Sequence, residues 1–230
     1  DTTIVNVALS DMAGGLGVGI EDISWVITAY AIANVIIIPL TSMLSDFFGR
    51  RNYFTGSVII FTVSSLMCGL SDSLWTLVFW RFVQGLGGGG LLSTAQSIIV
   101  GAFPPEKISI ANAIFGMGLI MGPTFGPTIG GYITDNFSWH WIFFVNIPIG
   151  VAATILSYRY VTDRPGAMKP KKIDWWGIAF LVISVGSIQF VLEEGGSKDW
   201  FESHEITAMT VIGLVGLAAF IYRELSIDYP

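Results

Sequence analysis

Charge is what this chain has least of: Asp, Glu, Lys and Arg make up 12% of its 230 residues, about half the share found in a soluble domain. That scarcity excludes an ordinary water-soluble fold. Cysteine is nearly missing, and the single thiol, Cys68, rules out an internal disulfide and a multi-cysteine metal site. The two histidines, His140 and His204, fall in separate polar segments, so no metal-spaced pair exists. No paired catalytic carboxylates and no nucleophile elbow occur either. Enzyme chemistry, a metal and a cofactor therefore have no carrier, and no nucleic-acid partner is expected.

What is abundant is apolar sequence, 53% of the chain. It is arranged in recurring runs near the roughly 20 residues that cross a bilayer. The opening DTTIVNVALSDMAGG is apolar but too short to span, which predicts a truncated first helix beginning upstream of Asp1. Further spans are expected over 23–44, 53–70, 74–102, 108–133, 139–158, 175–192 and 206–222. A polar turn over 45–51, a basic proline-containing linker over 159–172 and an acidic loop over 193–200 separate some of them. The expectation is an all-α, multi-pass membrane protein.

Threading the spans alternately fixes an orientation. Of the 11 basic residues, Arg50, Arg51, Lys107, Arg159, Arg164, Lys169, Lys171, Lys172 and Arg223 collect on one side, and only Lys198 on the other. The positive-inside rule makes the first side cytoplasmic. The carboxylates Asp72, Asp135, Glu193, Glu194, Asp199, Glu202 and Glu205 then face outward. A short echo, SMLSDFF at 42–48 against GYITDNF at 131–137, lies at opposite faces, as an inverted three-plus-three repeat predicts.

The remaining basic residue, Arg81, sits inside the 74–102 run. A charge at the bilayer centre costs roughly 2.5 to 3.5 kcal/mol on insertion scales, so it needs a partner and a purpose. Arg81, Gly85, Gly88, Gly89, Leu92 and Gln96 recur at spacings of three and four and share a face, with Gln84 beside them. The alternatives are a cation beside a transport cavity and a structural Arg satisfied by carbonyls. Asp1 lies within the membrane if the first helix continues upstream, and it is the carboxylate that could face Arg81. Asn6, Trp25, Tyr30, Asn34, Gln84 and Gln96 are candidate cavity groups. Met117 and Met121 either join them or contact lipid or core. In 118–131, Gly118, Gly122, Gly126 and Gly130 repeat every four residues, followed by Gly131, with Pro123 and Pro127 one place after two of them. This stripe predicts close helix packing. Asp46, Gly49, Arg50 and Arg51 form either a charge latch or a plain topology signal.

These motifs together resemble the 14-helix drug:proton antiporter branch of the major facilitator superfamily, of the multidrug-resistance protein B (EmrB-like) type. The resemblance rests on DTTIVNVAL from Asp1, LSDFFGRR ending at Arg51, RFVQG from Arg81, GPTFGPTIGG from Gly122 and WHWIFFVNIPIG from Trp139. Ser42, Phe47 and His140 depart from the pattern, the first two at the loop that carries Asp46.

The resemblance implies that Asp1 and Arg81 couple protons, and that Asp46 with Arg50 latches the outward-facing state. It implies an N-terminal six-helix domain over 1–158, a cytoplasmic linker over 159–174 and two additional helices over 175–230, with a second six-helix domain beyond them. The implied activity is proton-coupled export of amphipathic or lipophilic drugs across the bacterial cytoplasmic membrane. Membrane lipid is the surroundings, and a periplasmic adaptor with an outer-membrane channel are the implied partners. Export of fatty acids, bile salts or siderophores, and a non-transporting receptor or scaffold, remain as alternatives.

Overall fold

A computed structural model describes residues 2–163 and 173–227. Every regular element among the described residues is helical. The first helix is in two pieces, α1 (Thr2–Val7) and α2 (Leu9–Leu16), and a short α3 (Ile20–Ile23) leads into α4 (Trp25–Phe48). Then follow α5 (Arg50–Gly69), α6 (Leu74–Gly88), α7 (Leu91–Ala102), α8 (Ile108–Asn136), α9 (Trp141–Phe144) and α10 (Asn146–Tyr160). The last two are α11 (Trp175–Glu194) and α12 (His204–Ser226). Among the described residues, six helical stretches are long and apolar enough to cross a membrane: 20–48, 50–69, 105–136, 141–160, 175–194 and 204–226.

The expected 74–102 span differs because it is broken. Gly87 to Gly90 offer the weakest helix propensity short of proline, and the helix ends at Gly88 and restarts at Leu91, so neither half is long enough alone. The expected polar turn over 45–51 contracts to one residue, Gly49, because α4 runs on to Phe48 and α5 begins at Arg50. The acidic loop is shorter than expected too, since α11 takes in Glu193 and Glu194.

Helix α6 is central, packed against both α4 and α5; α5 also packs on α10, and α1 on α8. Membrane helices gain little from hydrophobic burial against lipid and associate through small residues and hydroxyls instead. The α5–α10 seam follows that rule. Thr55 and Ser157 share a 3.0 Å hydrogen bond, and a Cβ on Gly150 would collide with Thr62. Asn146 donates to Ser65 Oγ (3.0 Å), and Ser65 donates to the Phe143 carbonyl (2.9 Å). A cluster of Val5, Met12, Ile23, Val26, Leu77, Ile142 and Phe143 forms the main apolar core. Helices α11 and α12 pair closely, and α11 lies on α4 through Phe190 and Val191.

Candidate functional site

Ser73 opens α6 by accepting a hydrogen bond from the Thr76 amide (3.4 Å), which sets Arg81 roughly two turns into the helix. Arg81 is fully buried. Its Nε donates to the Val26 carbonyl (3.2 Å) and its Nη1 to Gln84 Oε1 (2.7 Å). The guanidinium carbon stands 4.1 Å from the centroid of the Tyr30 ring and 5.8 Å from that of Phe143. A planar cation between a ring, an amide and a carbonyl is held by charge-assisted and cation–π contacts together.

Beside it lies a central cavity of about 490 Å3, bounded by Thr2, Tyr30, Asn34, Phe61, Gly88 and Gly89 among others. Tyr30 is therefore shared between the buried cation and the cavity wall. Asn34 donates its amide back to the Tyr30 carbonyl (2.9 Å), which leaves its side-chain oxygen without a described donor at the lining. The glycines of α6 make this approach possible. A Cβ on Gly85 would sit 2.6 Å from the Tyr30 carbonyl oxygen, and one on Gly89 would strike Ile37 and Asn34. On the other side, a Cβ on Gly87 would come within 2.7 Å of the Phe61 amide.

Other residues singled out in the sequence are placed as follows. Gln84 is buried against Arg81 rather than on the cavity wall. Trp25 borders a different cavity, described below. Asn6 and Gln96 are exposed, and Met117 and Met121 project from α8. Of the α8 stripe, Gly126 meets Thr3 and Gly130 meets Ile4 of α1, while Gly118 and Gly122 face open space and Gly131 barely touches Val7. Pro123 and Pro127 lie inside α8 without ending it. Asp1 lies outside the described residues, as do Arg164, Lys169, Lys171 and Lys172.

At the end of the bundle where α4 meets α5, Gly49 has φ +86°, a conformation costly for any residue with a Cβ. Asp163, just past α10, accepts a hydrogen bond from the Arg51 amide (2.9 Å) and so caps α5 from a distant segment. Arg50 donates to the Thr162 carbonyl from Nη2 (2.7 Å) and Nε (3.2 Å), and to the Ser97 carbonyl from Nη1 (3.3 Å). The Arg51 guanidinium lies over Tyr158. Asp46, Arg50, Thr94 and Asp163 border a cavity of about 260 Å3 between these helices. Thr162, Asp163 and Ser97 carried no sequence signal, because each is an ordinary polar residue far along the chain from Gly49. Among the described residues no group of three or more His, Cys, Asp or Glu side chains is placed to hold a metal ion.

At the opposite end, Thr28 of α4 donates to Glu194 Oε1 of α11 (2.8 Å), and both are buried. Lys198 pairs with Glu205 (2.7 Å). Where α11 begins, Asp174 takes hydrogen bonds from Arg223 of α12 at 2.9 Å.

The chain is similar to named proteins. It is 43% identical over all 230 residues to the multidrug export protein EmrB of Escherichia coli K12, spanning 45% of that protein. It is 36% identical over its full length to the fatty acid resistance protein FarB of Neisseria gonorrhoeae, again 45% of it. The chain thus spans less than half the length of these curated relatives. In fold it resembles the human organic anion transporter MFSD10, with a TM-score of 0.57 at 14% identity, over 96% of this chain and 62% of that one. The family model described as Major Facilitator Superfamily matches residues 1–223. A multi-pass helical chain matched along almost its whole length in this way is a member of the Major Facilitator Superfamily.

Proposed function

We propose that this chain forms the N-terminal half of a proton-coupled antiporter that exports amphipathic or lipophilic compounds, drugs among them, across the bacterial cytoplasmic membrane. The observation that carries the reading is the buried Arg81, packed on Tyr30, whose ring also borders the central cavity. A cation this costly to bury is functional by default in a membrane, and here one aromatic side chain links it to the space a substrate would occupy. Relatives named for multidrug export and fatty acid resistance support an amphipathic substrate.

In this reading the six-helix unit covers 1–158, the linker 159–174 and an additional helix pair 175–230. A second half completes the cavity, and the basic end is cytoplasmic under the positive-inside rule. Asp1 carries the proton. Protonation from outside weakens its hold on substrate or on Arg81, and release inward restores it, while alternating access turns the cavity from one side to the other. Asp46 and Arg50 latch one state. A periplasmic adaptor and an outer-membrane channel extend the route.

The test uses the full-length protein in vesicles with an imposed pH gradient and a panel of cationic, neutral and anionic amphiphiles. Asp1→Asn is expected to abolish gradient-driven efflux while leaving membrane insertion intact. Normal efflux by that variant would overturn the assignment. An anionic panel exported in preference to the cationic one would favour fatty acid export, the reading the FarB relative supports.

A further inference from the structure

Glu194 is a buried carboxylate that the transport reading does not use. It is the last residue of α11, where the negative end of the helix dipole disfavours an anion, yet it is only 5% exposed. Its carboxylate accepts the Thr28 hydroxyl, a neutral donor, and no second side-chain donor among the described residues reaches it. A carboxylate has about four acceptor positions, and burial of its charge is tolerated when a countercharge is near. Lys198, which borders the same space, is already held by Glu205 at 2.7 Å.

Glu194 borders an outer cavity of about 490 Å3 between the start of α4 and the end of α11, within the size range of small-molecule sites. Trp25 forms part of its wall, and Glu21, Asp22 and Glu193 add negative charge around it. The wall has cation-binding geometry in place, for the Lys198 ammonium lies 5.8 Å from the Trp25 ring centroid. Tyr30 and Asn34 belong to the other cavity, so the two spaces have different linings.

We infer that this outer cavity binds an organic cation, with its charged centre beside Glu194 and its apolar body against Trp25. The buried carboxylate gains a direct ionic partner beside the Thr28 hydroxyl, and the indole face supplies cation–π and apolar contact. The inference concerns binding alone and stands apart from proton-coupled export, because it is measured without a gradient.

The experiment uses the full-length protein in nanodiscs at pH 8, with an azidophenyl-triphenylphosphonium cation as photolabel and a neutral azidophenyl ketone of similar size as comparator. Adducts are mapped by mass spectrometry to the peptides carrying Trp25 and Glu194. Glu194→Gln keeps an acceptor for Thr28 and is expected to lower phosphonium labelling there about tenfold, equivalent to roughly 1.4 kcal/mol of affinity, while the neutral label is unchanged. Lys198→Gln removes a competing cation through an exposed pair whose loss costs little stability, and it is expected to raise phosphonium labelling. Tyr30→Ala is expected to leave labelling at this cavity as it was. Unchanged phosphonium labelling in Glu194→Gln, equal loss of both labels, or reduced labelling in Lys198→Gln would each overturn the proposal.

Discussion

The Tyr30 ring lies beneath the Arg81 guanidinium, 4.1 Å from its carbon, and the same ring borders the central cavity. The contact joins α4 to α6 and makes the environment of the cation depend on the cavity wall. Tyr30→Leu should cost about 2 kcal/mol of stability, since a desolvated cation–π contact is lost, and should reduce efflux. Tyr30→Phe keeps the ring and should melt close to the parent. Thermal unfolding of the full-length protein in detergent, paired with vesicle efflux, checks both; equal melting of the two variants would contradict the ring's role.

The single-residue joint at Gly49 should tolerate almost nothing. With φ at +86° and Asp163 Oδ1 3.0 Å from where a Cβ would stand, Gly49→Ala should destabilise by about 1–3 kcal/mol. Asp163→Ala, which removes the cap on α5, should cost about 1 kcal/mol. Because both changes disturb one contact, the double variant should lose less than the sum, as a double-mutant cycle on melting midpoints will read.

Gly85 should behave as a spacer whose loss is felt at Arg81. A Cβ there meets the Tyr30 carbonyl oxygen at 2.6 Å and the Ala33 Cβ at 2.7 Å, and backbone cannot yield as a flexible side chain does. Gly85→Ala should cost about 1–3 kcal/mol by overpacking and Gly85→Val more. Gly118→Ala, placed in open space, is the matched control and should melt like the parent.

The pairing of α11 with α12 should weaken in acid. The hydrogen bond from Arg223, aided by the neighbouring backbone amides and Coulombic attraction against an opposing desolvation cost, holds the Asp174 carboxyl below the usual carboxylate range. A group whose pKa is lowered by folding adds stability that is complete above its unfolded value, about 3.9, and is lost as pH falls through the folded value. Melting followed from pH 7 down to pH 3 should therefore drop more steeply for the parent than for Asp174→Asn, which lacks the titrating group. Parallel curves would show that the pair adds nothing.

Much of this architecture could be read in the sequence because membrane helices announce themselves by length. The segments 175–192 and 206–222 became α11 and α12 with ends shifted by a few residues. Arg81 stood out because a charge in an apolar run is expensive wherever it lies. What sequence could not supply was the register between helices. Nothing in the chain ties Asp163 to Arg51, or Glu194 to Thr28, since each pair meets only after distant helices pack. Trp25 illustrates the cost: it is named in the sequence only as a candidate cavity group, and the cavity it borders, shared with Glu194 of α11, emerges only from the packing of α11 on α4. The break at Gly89 and Gly90 was hidden for a different reason, because a run of glycines reads equally as close packing and as weak helix.

The glycines of α6 have a mechanical consequence. Gly85, and Gly89 just past its end, seat the helix against α4 and Gly87 seats it against α5, each with backbone atoms among the nearest on the receiving side. Three helices gripped this way form one tightly packed unit, and Arg81 sits in it together with Tyr30 and the Val26 carbonyl. The arginine is thus held by the frame itself, through α4 as well as through its own helix.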